Sequence, residues 1–310
     1  QLSQLQAKRE RQLLNAPVLA HSHSPQGVLA QLQSALPFKL TNAQQRVVAE
    51  IANDAARAVP MHRLLQGDVG SGKTFVAMAA MLMAVDSGSQ AALMAPTQIL
   101  AEQHFLTFRK WLEPLGIRIA LRTASRDERT HEGDESRPQM VIGTHALIHG
   151  GGNFEDLGLV VIDEQHKFGV GQRAALIGRG TAPDVLVMTA TPIPRTLTMT
   201  LYGDLDVSVL DEKPPGRGEV VTAVRVSAKQ SDVTAFVKGK LAEGRQAYLV
   251  YPLVEESEGL KVESAVEAYA KWKKRLSGHE VGLIHGKLKP DEKERVMQDF
   301  RDGRIGVLVA

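Results

Sequence analysis

Eight consecutive residues, Gly67, Asp68, Val69, Gly70, Ser71, Gly72, Lys73 and Thr74, hold the densest phosphate chemistry in the chain. Glycines let a backbone wrap an anion with its N–H groups, and a helix that begins at the end of such a loop adds positive potential from its first turn. Lys73 would then reach the β- and γ-phosphates of a nucleoside triphosphate, and Thr74 would offer its hydroxyl to Mg2+. The pattern gains its specificity from context. Here it stands between an apolar strand pattern at 63–66 and an apolar helical run at 75–85.

A second cluster follows about ninety residues on, where Leu159-Val-Val-Ile delivers Asp163 and Glu164 at the end of an apolar run. One carboxylate can hold a metal through water while the next orients an attacking water. By itself an Asp-Glu pair after a strand is usually a solvated loop. Downstream of a phosphate loop it points to nucleotide hydrolysis, with Asp163 at the metal and Glu164 at the water.

Three further segments carry hydroxyls and imidazoles: Ala95-Pro-Thr97, Gly143-Thr144-His145, and Thr189-Ala-Thr191-Pro-Ile-Pro-Arg195. Such groups, together with exposed helix N-termini, suit contacts to backbone phosphates of a nucleic acid, which position a strand without reading its sequence. Each is equally a plain cap or turn when taken singly. Gln44 has two readings. With Thr41 it completes a capping box at the start of a helix, and its amide could also donate to and accept from a purine edge. Lys271-Trp-Lys-Lys-Arg275 is read as a solvated helix face with a half-buried Trp272 rather than a nucleic-acid grip.

These residues need a scaffold that brings them together. Apolar strand patterns at 63–66, 91–95, 117–121, 139–142, 159–162 and 185–188 alternate with helical stretches, which predicts a parallel sheet with helices on both faces. Nearly every strand runs into one of the segments above at its C-terminal end. In open α/β sheets that edge binds ligands, so the functional loops are expected along one rim. Asp211-Glu-Lys-Pro-Pro-Gly-Arg217 reads as a hinge, because paired prolines and a glycine forbid helix and ladder. The alternation then restarts, with strand patterns at 219–226, 246–254, 281–284 and 305–310. An amphipathic helix over 1–14, a loop holding His21 and His23, and a short helix around Val28, Leu32 and Leu36 precede the first strand.

Composition is permissive. The 310 residues predict two domains, and 43% hydrophobic with 23% charged residues is ordinary for a globular chain. Absence of cysteine excludes disulfides and thiolate metal sites. A net charge of +2 permits a polyanionic partner without arguing for one, and 5% aromatics do not suggest a surface of stacking platforms. The 75–85 run is too short to span a bilayer.

Taken in order, the segments resemble superfamily 2 helicases: a Gln motif, a phosphate loop, strand-contact loops, an Asp-Glu box and a Thr-Ala-Thr segment. Pro37-Phe-Lys-Leu-Thr-Asn-Ala-Gln44, the 67–74 loop, Asp163-Glu-Gln-His-Lys-Phe-Gly-Val170, Met188-Thr-Ala-Thr-Pro-Ile-Pro-Arg-Thr196, Leu210-Asp-Glu-Lys-Pro-Pro-Gly-Arg217 and His285-Gly-Lys-Leu-Lys-Pro290 narrow this to the RecG family of bacterial ATP-dependent DNA helicases. The related transcription-repair coupling translocases would carry Asp-Glu-Glu-Gln in place of Asp163-Glu-Gln-His166 and an aromatic residue in place of Ser71.

The resemblance implies an α/β fold of two RecA-like parallel-sheet domains of the P-loop NTPase type. A helical linker from an N-terminal wedge domain would cover 1–36, the ATP-binding domain 37–213, and part of the second domain 214–310. It implies ATP and Mg2+, with Lys73, Asp163 and Glu164 catalytic, Gln44 and residues 67–74 on ATP, and Thr74 and Asp163 at the metal. His166, Thr189 and Thr191 would couple nucleotide state to domain closure, and Thr97, Thr144, His145 and Arg195 would face DNA. The implied function is ATP-driven movement on double-stranded DNA, remodelling stalled forks and Holliday junctions in repair and recombination, by a monomer in the bacterial cytosol, without a membrane. The family continues past Ala310 into motifs whose arginines complete the ATP site, so the 310 residues alone are expected to turn over ATP poorly. It also carries a longer helical segment where 122–138 is short and charged. Rival readings are an RNA helicase, the coupling translocase and an ATP-gated clamp. Glu164 argues against the clamp, which needs no water-orienting carboxylate.

Overall fold

A computed structural model describes residues 19, 27–130, 137–149, 154–164, 170–178, 182–191, 205–212, 220–226, 229–251 and 258–310. The chain falls into two compact units, Gln1–Gly218 and Glu219–Ala310.

Strand formation in the first unit follows mostly from apolar runs, the signature of strands covered on both faces, while β1 contributes only Leu64 and Leu65 between polar residues. β1 (His62–Gly67), β2 (Gln90–Met94), β3 (Ile119–Arg122), β5 (Met140–Gly143), β6 (Leu157–Asp163) and β7 (Asp184–Thr189) match the six expected strands. Two more were not anticipated, β4 (Asp127–Arg129) and β8 (Asp206–Leu210). The eight strands form one sheet in the order β4-β3-β5-β2-β6-β7-β1-β8. Every pairing is parallel except β3 with β4, a charged antiparallel edge strand. Charged residues suit that edge position, where a free ladder would otherwise invite pairing with another chain.

Neighbouring residues on a strand point to opposite faces, and the core divides accordingly. Leu65, Leu93, Ile142, Val161 and Leu186 belong to one apolar layer, and Leu64, Ala92, Val141, Val160 and Val187 to the other. The first layer packs against α1 (Val28–Ala35), α2 (Asn42–Ala55), α3 (Lys73–Asp86) and α4 (Gln98–Leu112); α5 (Ala146–His149) and α6 (Val170–Ile177) contribute to the second. α3 is buried on every side from Phe75 to Val85, as a helix apolar all round must be. The short helix expected near Leu32 is α1, and Leu32 and Leu19 are both inside this core. The amphipathic helix expected over 1–14 lies outside the described residues.

Register places the strand ends together. Met94 pairs with Gly143 and with Ile162, Asp163 with Met188, and Gln66 with Thr189. The loops leaving β5, β2, β6, β7 and β1 therefore share one rim.

The second unit pairs β9 (Ala247–Leu249), β10 (Val281–Leu283) and β11 (Val307–Val309) in the parallel order β10-β11-β9. α7 (Gln230–Ala242), α8 (Glu258–Arg275) and α9 (Pro290–Arg301) complete its described elements. Trp272 sits in this core, more deeply than the half-buried position expected, and its Nε1 donates to Tyr251 OH at 2.7 Å while Lys271, Lys273 and Lys274 are exposed. One expected strand is corrected. Residues 220–226 join no ladder among the described residues, and Val221 and Val224 are exposed. Valine favours strands because it fits a pleated, half-buried surface, and no strand among the described residues supplies that surface here. No helix of the described residues is long and apolar enough to cross a membrane.

Candidate functional site

β1 delivers Gly67 to the rim and α3 leaves it at Lys73. Between them the chain turns tightly, with Gly70 at φ +76° and Gly72 at φ +92°. That backbone is open to glycine and strained for other residues. A side chain at Gly72 would also run into the amide of Gln44.

Gln44 is buried and held by three hydrogen bonds. Its peptide N–H donates to Thr41 Oγ1 at 3.2 Å, and its Oε1 accepts from the Thr41 peptide N–H at 3.0 Å. This is the capping box expected at the start of α2. The same side chain reaches farther, donating from Nε2 to Ser71 O at 2.8 Å. Gln44 is thus both a helix cap and a brace on the loop. On the N-terminal side of Thr41 an open groove is lined by Leu36, Pro37, Phe38, Leu40 and Gln45.

Lys73 Nζ donates to Gly67 O at 2.7 Å and Asp68 O at 3.0 Å. Both acceptors are neutral carbonyls. A phosphate oxygen would form the charge-assisted and stronger bond. Ser71 is buried with a hydroxyl that has no partner among the described residues, and a Cβ at Gly67 would press on that hydroxyl at 2.5 Å. Only small residues fit there.

β6 carries Asp163 to the rim two strands from β1, with β7 between them. At about 4.8 Å per strand the acidic pair lies roughly 10 Å across the sheet from the strand that enters the phosphate loop. Asp163 is buried and its Oδ2 lies 2.9 Å from His104 Nε2 of α4. Glu164 adopts φ +50°, the left-handed region rarely used by a residue with a side chain. Its peptide N–H donates to Met188 O at 2.9 Å, and its Oε1 accepts from the Ala190 N–H at 3.1 Å. Thr189 Oγ1 accepts from the Thr191 N–H at 3.1 Å. The acidic pair and the Thr-Ala-Thr turn are therefore tied by hydrogen bonds.

Of the residues expected to face DNA, Thr97 is exposed and N-caps α4, its Oγ1 accepting from Leu100 N–H at 3.3 Å. His145 is exposed. Thr144 is buried, with its hydroxyl 3.5 Å from the Ala146 N–H. His166 and Arg195 lie outside the described residues.

The donors suit a Mg2+-bound nucleotide. Thr74 and Asp163 offer oxygen, the ligand type Mg2+ selects, and the 67–74 backbone forms a cradle that a Cβ would fill. Two residues of this neighbourhood went unnoticed in the sequence. His104 belongs to the apolar stripe of α4 with Ala101, Phe105, Phe108 and Leu112, and a polar residue on such a stripe was the available signal. Phe38, half-exposed beside Gln45, had only its position upstream of Gln44 to mark it.

Comparison with known proteins accords with this geometry. Residues 41–200 match the DEAD/DEAH box helicase family, and residues 228–310 match the helicase conserved C-terminal domain. An ATP-dependent DNA helicase RecG of Aquifex aeolicus is 48% identical over 278 residues, 87% of this chain and 35% of that protein. The RecG helicase of Escherichia coli strain K12 is 49% identical over 290 residues, 90% of this chain and 42% of that protein. The chain spans well under half the length of these relatives. Among solved structures, RecG bound to a three-way DNA junction superposes with a TM-score of 0.79 at 39% identity, covering 100% of this chain and 41% of that one. Yeast Dbp5 bound to RNA and ADP BeF3 superposes at 0.66 with 20% identity, over 94% of this chain and 74% of that one, a likeness of fold alone.

Proposed function

We propose, on the premise that this chain belongs to the DEAD/DEAH box helicase family, that it is the ATP-hydrolysing motor of a RecG-type DNA helicase. The observation that carries the reading is the single rim to which the strand ends bring the phosphate loop, the acidic pair and the Thr-Ala-Thr turn, the last two joined by a hydrogen bond. The 44–49% identity to RecG helicases directs it to DNA rather than RNA, and the junction-bound RecG relative directs it to branched duplexes. The action follows as movement on double-stranded DNA that remodels stalled forks and Holliday junctions, by a monomer working in the bacterial cytosol.

Each residue has a role set by its place. Lys73 exchanges its two carbonyls for β- and γ-phosphate oxygens, while the loop N–H groups and the start of α3 hold the rest of the triphosphate. Phe38 and Gln44 flank the place for the adenine, the ring by stacking and the amide by its remaining N–H. Thr74 and Asp163 would hold Mg2+, which when bound neutralises charge on the β- and γ-phosphates. Glu164 orients the attacking water and accepts its proton. Its bond to Ala190 N–H makes Thr189 and Thr191 the first residues to feel the change at the γ-phosphate, and His166, two residues after Glu164 in sequence, shares the coupling role. Thr97, Thr144, His145 and Arg195 are assigned to the DNA side of the rim. The test is steady-state ATP turnover by the intact protein with three-way junction DNA, linear duplex or RNA. Junction DNA is expected to stimulate most, and greater stimulation by RNA would overturn the assignment.

A further inference from the structure

We infer that His104 is a positioning residue for Asp163, fixing the carboxylate that meets Mg2+. The inference rests on the proposed role of Asp163 as the metal-side carboxylate. His104 and Asp163 are both buried, come from different elements, and lie 59 residues apart in the chain, yet Nε2 and Oδ2 approach to 2.9 Å. Among the described residues His104 is the side-chain partner of that carboxylate. A buried polar pair is costly unless each member satisfies the other, so a histidine on the apolar stripe of α4 needs such a reason.

The chemistry has a direction. An ionised carboxylate only accepts hydrogen bonds, so the ring must present Nε2–H to Oδ2. One oxygen is thereby anchored and the other is left to the rim. Carboxylates that ligate metals are held in this way by a second layer of donors, whose loss commonly weakens metal affinity 10–100-fold. α4 is well suited to the task. Ala101, Phe105, Phe108 and Leu112 clamp it into the core, so the imidazole is presented from a rigid element rather than a loop. The helix is also N-capped by Thr97, the rim residue assigned to DNA. A shift of α4 at its N-terminus would therefore be felt at Asp163.

The test compares His104→Leu, which keeps bulk but removes the donor, with His104→Gln, whose Nε2 can reach the same oxygen. The readout is the Mg2+ concentration that half-saturates the extra thermal stabilisation given by ADP, measured on the intact protein with no turnover involved. His104→Leu is expected to raise that concentration 10–100-fold, and His104→Gln to restore most of it, with stabilisation by metal-free ADP unchanged. Equal half-saturation in the parent and in His104→Leu would overturn the inference. Where His104→Leu does not fold, His104→Asn replaces it, an amide one methylene short of Gln: a gap between the two amides supports the assignment and coincident curves overturn it. Asp163→Asn separates the two levels of the argument. If it leaves the Mg2+ dependence intact, the role given to Asp163 fails; if it removes that dependence while the His104 variants do not, only the positioning inference fails.

Discussion

Two buried carboxylates occupy opposite ends of neighbouring strands. Asp163 ends β6 on the loop-bearing rim, and Asp184 begins β7 at the other edge of the sheet, opposite Leu159. Asp163 meets an imidazole and stands beside the proposed nucleotide site. Asp184 accepts one bond, from the Met61 peptide N–H at 2.6 Å, and its second oxygen has no partner among the described residues. Burial pushes Asp184 up to about 7, against the pull of that peptide N–H and helped by the nearby Asp54 charge. The same edge holds a buried ion pair. Arg63 donates to Asp54 through Nε at 2.9 Å and NH2 at 2.5 Å, and to Ser208 Oγ at 2.8 Å, while Ser208 also meets Glu50. One residue type and one degree of burial thus serve two ends. At the C-terminal ends of the strands buried charge faces the proposed nucleotide site, and at the N-terminal ends it pins β1, β7, β8 and α2 together.

Four substitutions sharpen or break that contrast. The largest effect belongs to the rim: Lys73→Ala should lower ATP turnover on the order of 10³-fold, the scale of one lost charged contact to a transferring phosphoryl group, while thermal unfolding stays near the parental midpoint. At the opposite edge Asp54→Ala should do the reverse. Removing one partner of a buried pair costs about 3–5 kcal/mol, visible in denaturant unfolding, and nucleotide affinity of the folded protein should not change. Asp184→Asn tests the pH sense. A carboxyl raised from 3.8 to about 7 in the fold contributes stability that is fully present below the unfolded value and is lost as pH rises through 7. The difference in unfolding free energy between Asp184→Asn and the parent should therefore move in the variant's favour by roughly 2–3 kcal/mol between pH 5 and pH 7. A flat difference would show that Asp184 is not the titrating group. The smallest effect is expected at Gln44→Ala, about 1 kcal/mol of stability for the lost cap, with ATP weakened more than inorganic triphosphate. Equal weakening of the two would leave Gln44 as cap and brace only.

The sequence was most legible where one physical cause acted alone. β2, β5, β6 and β7 are apolar runs long enough to fill a doubly covered sheet, β1 has Leu64 and Leu65 at its centre, and the ends of all five fell within about two residues of expectation. The phosphate loop was legible because its glycines answer to backbone geometry. β4 was not, since Asp-Glu-Arg has neither apolar content nor alternation and pairs only because β3 offers an edge. The valines of 220–226 misled for the complementary reason, carrying the pattern without a strand partner among the described residues. His104 stayed hidden because its significance lies in a contact to a residue 59 positions away. Gln44 was legible as two alternatives, and the fold unites its cap with a loop contact that spacing alone could not reveal.

The central claim is that the acidic pair on the rim hydrolyses ATP, and single-turnover hydrolysis by Glu164→Gln tests it most directly. The amide keeps the size of the carboxylate and an oxygen for the Ala190 N–H, but it cannot accept a proton from water. In the intact protein with saturating junction DNA, Glu164→Gln is predicted to bind ATP with near-parental affinity and to hydrolyse it about 10²–10⁴-fold more slowly. Hydrolysis at the parental rate would contradict the account and place the catalytic base elsewhere.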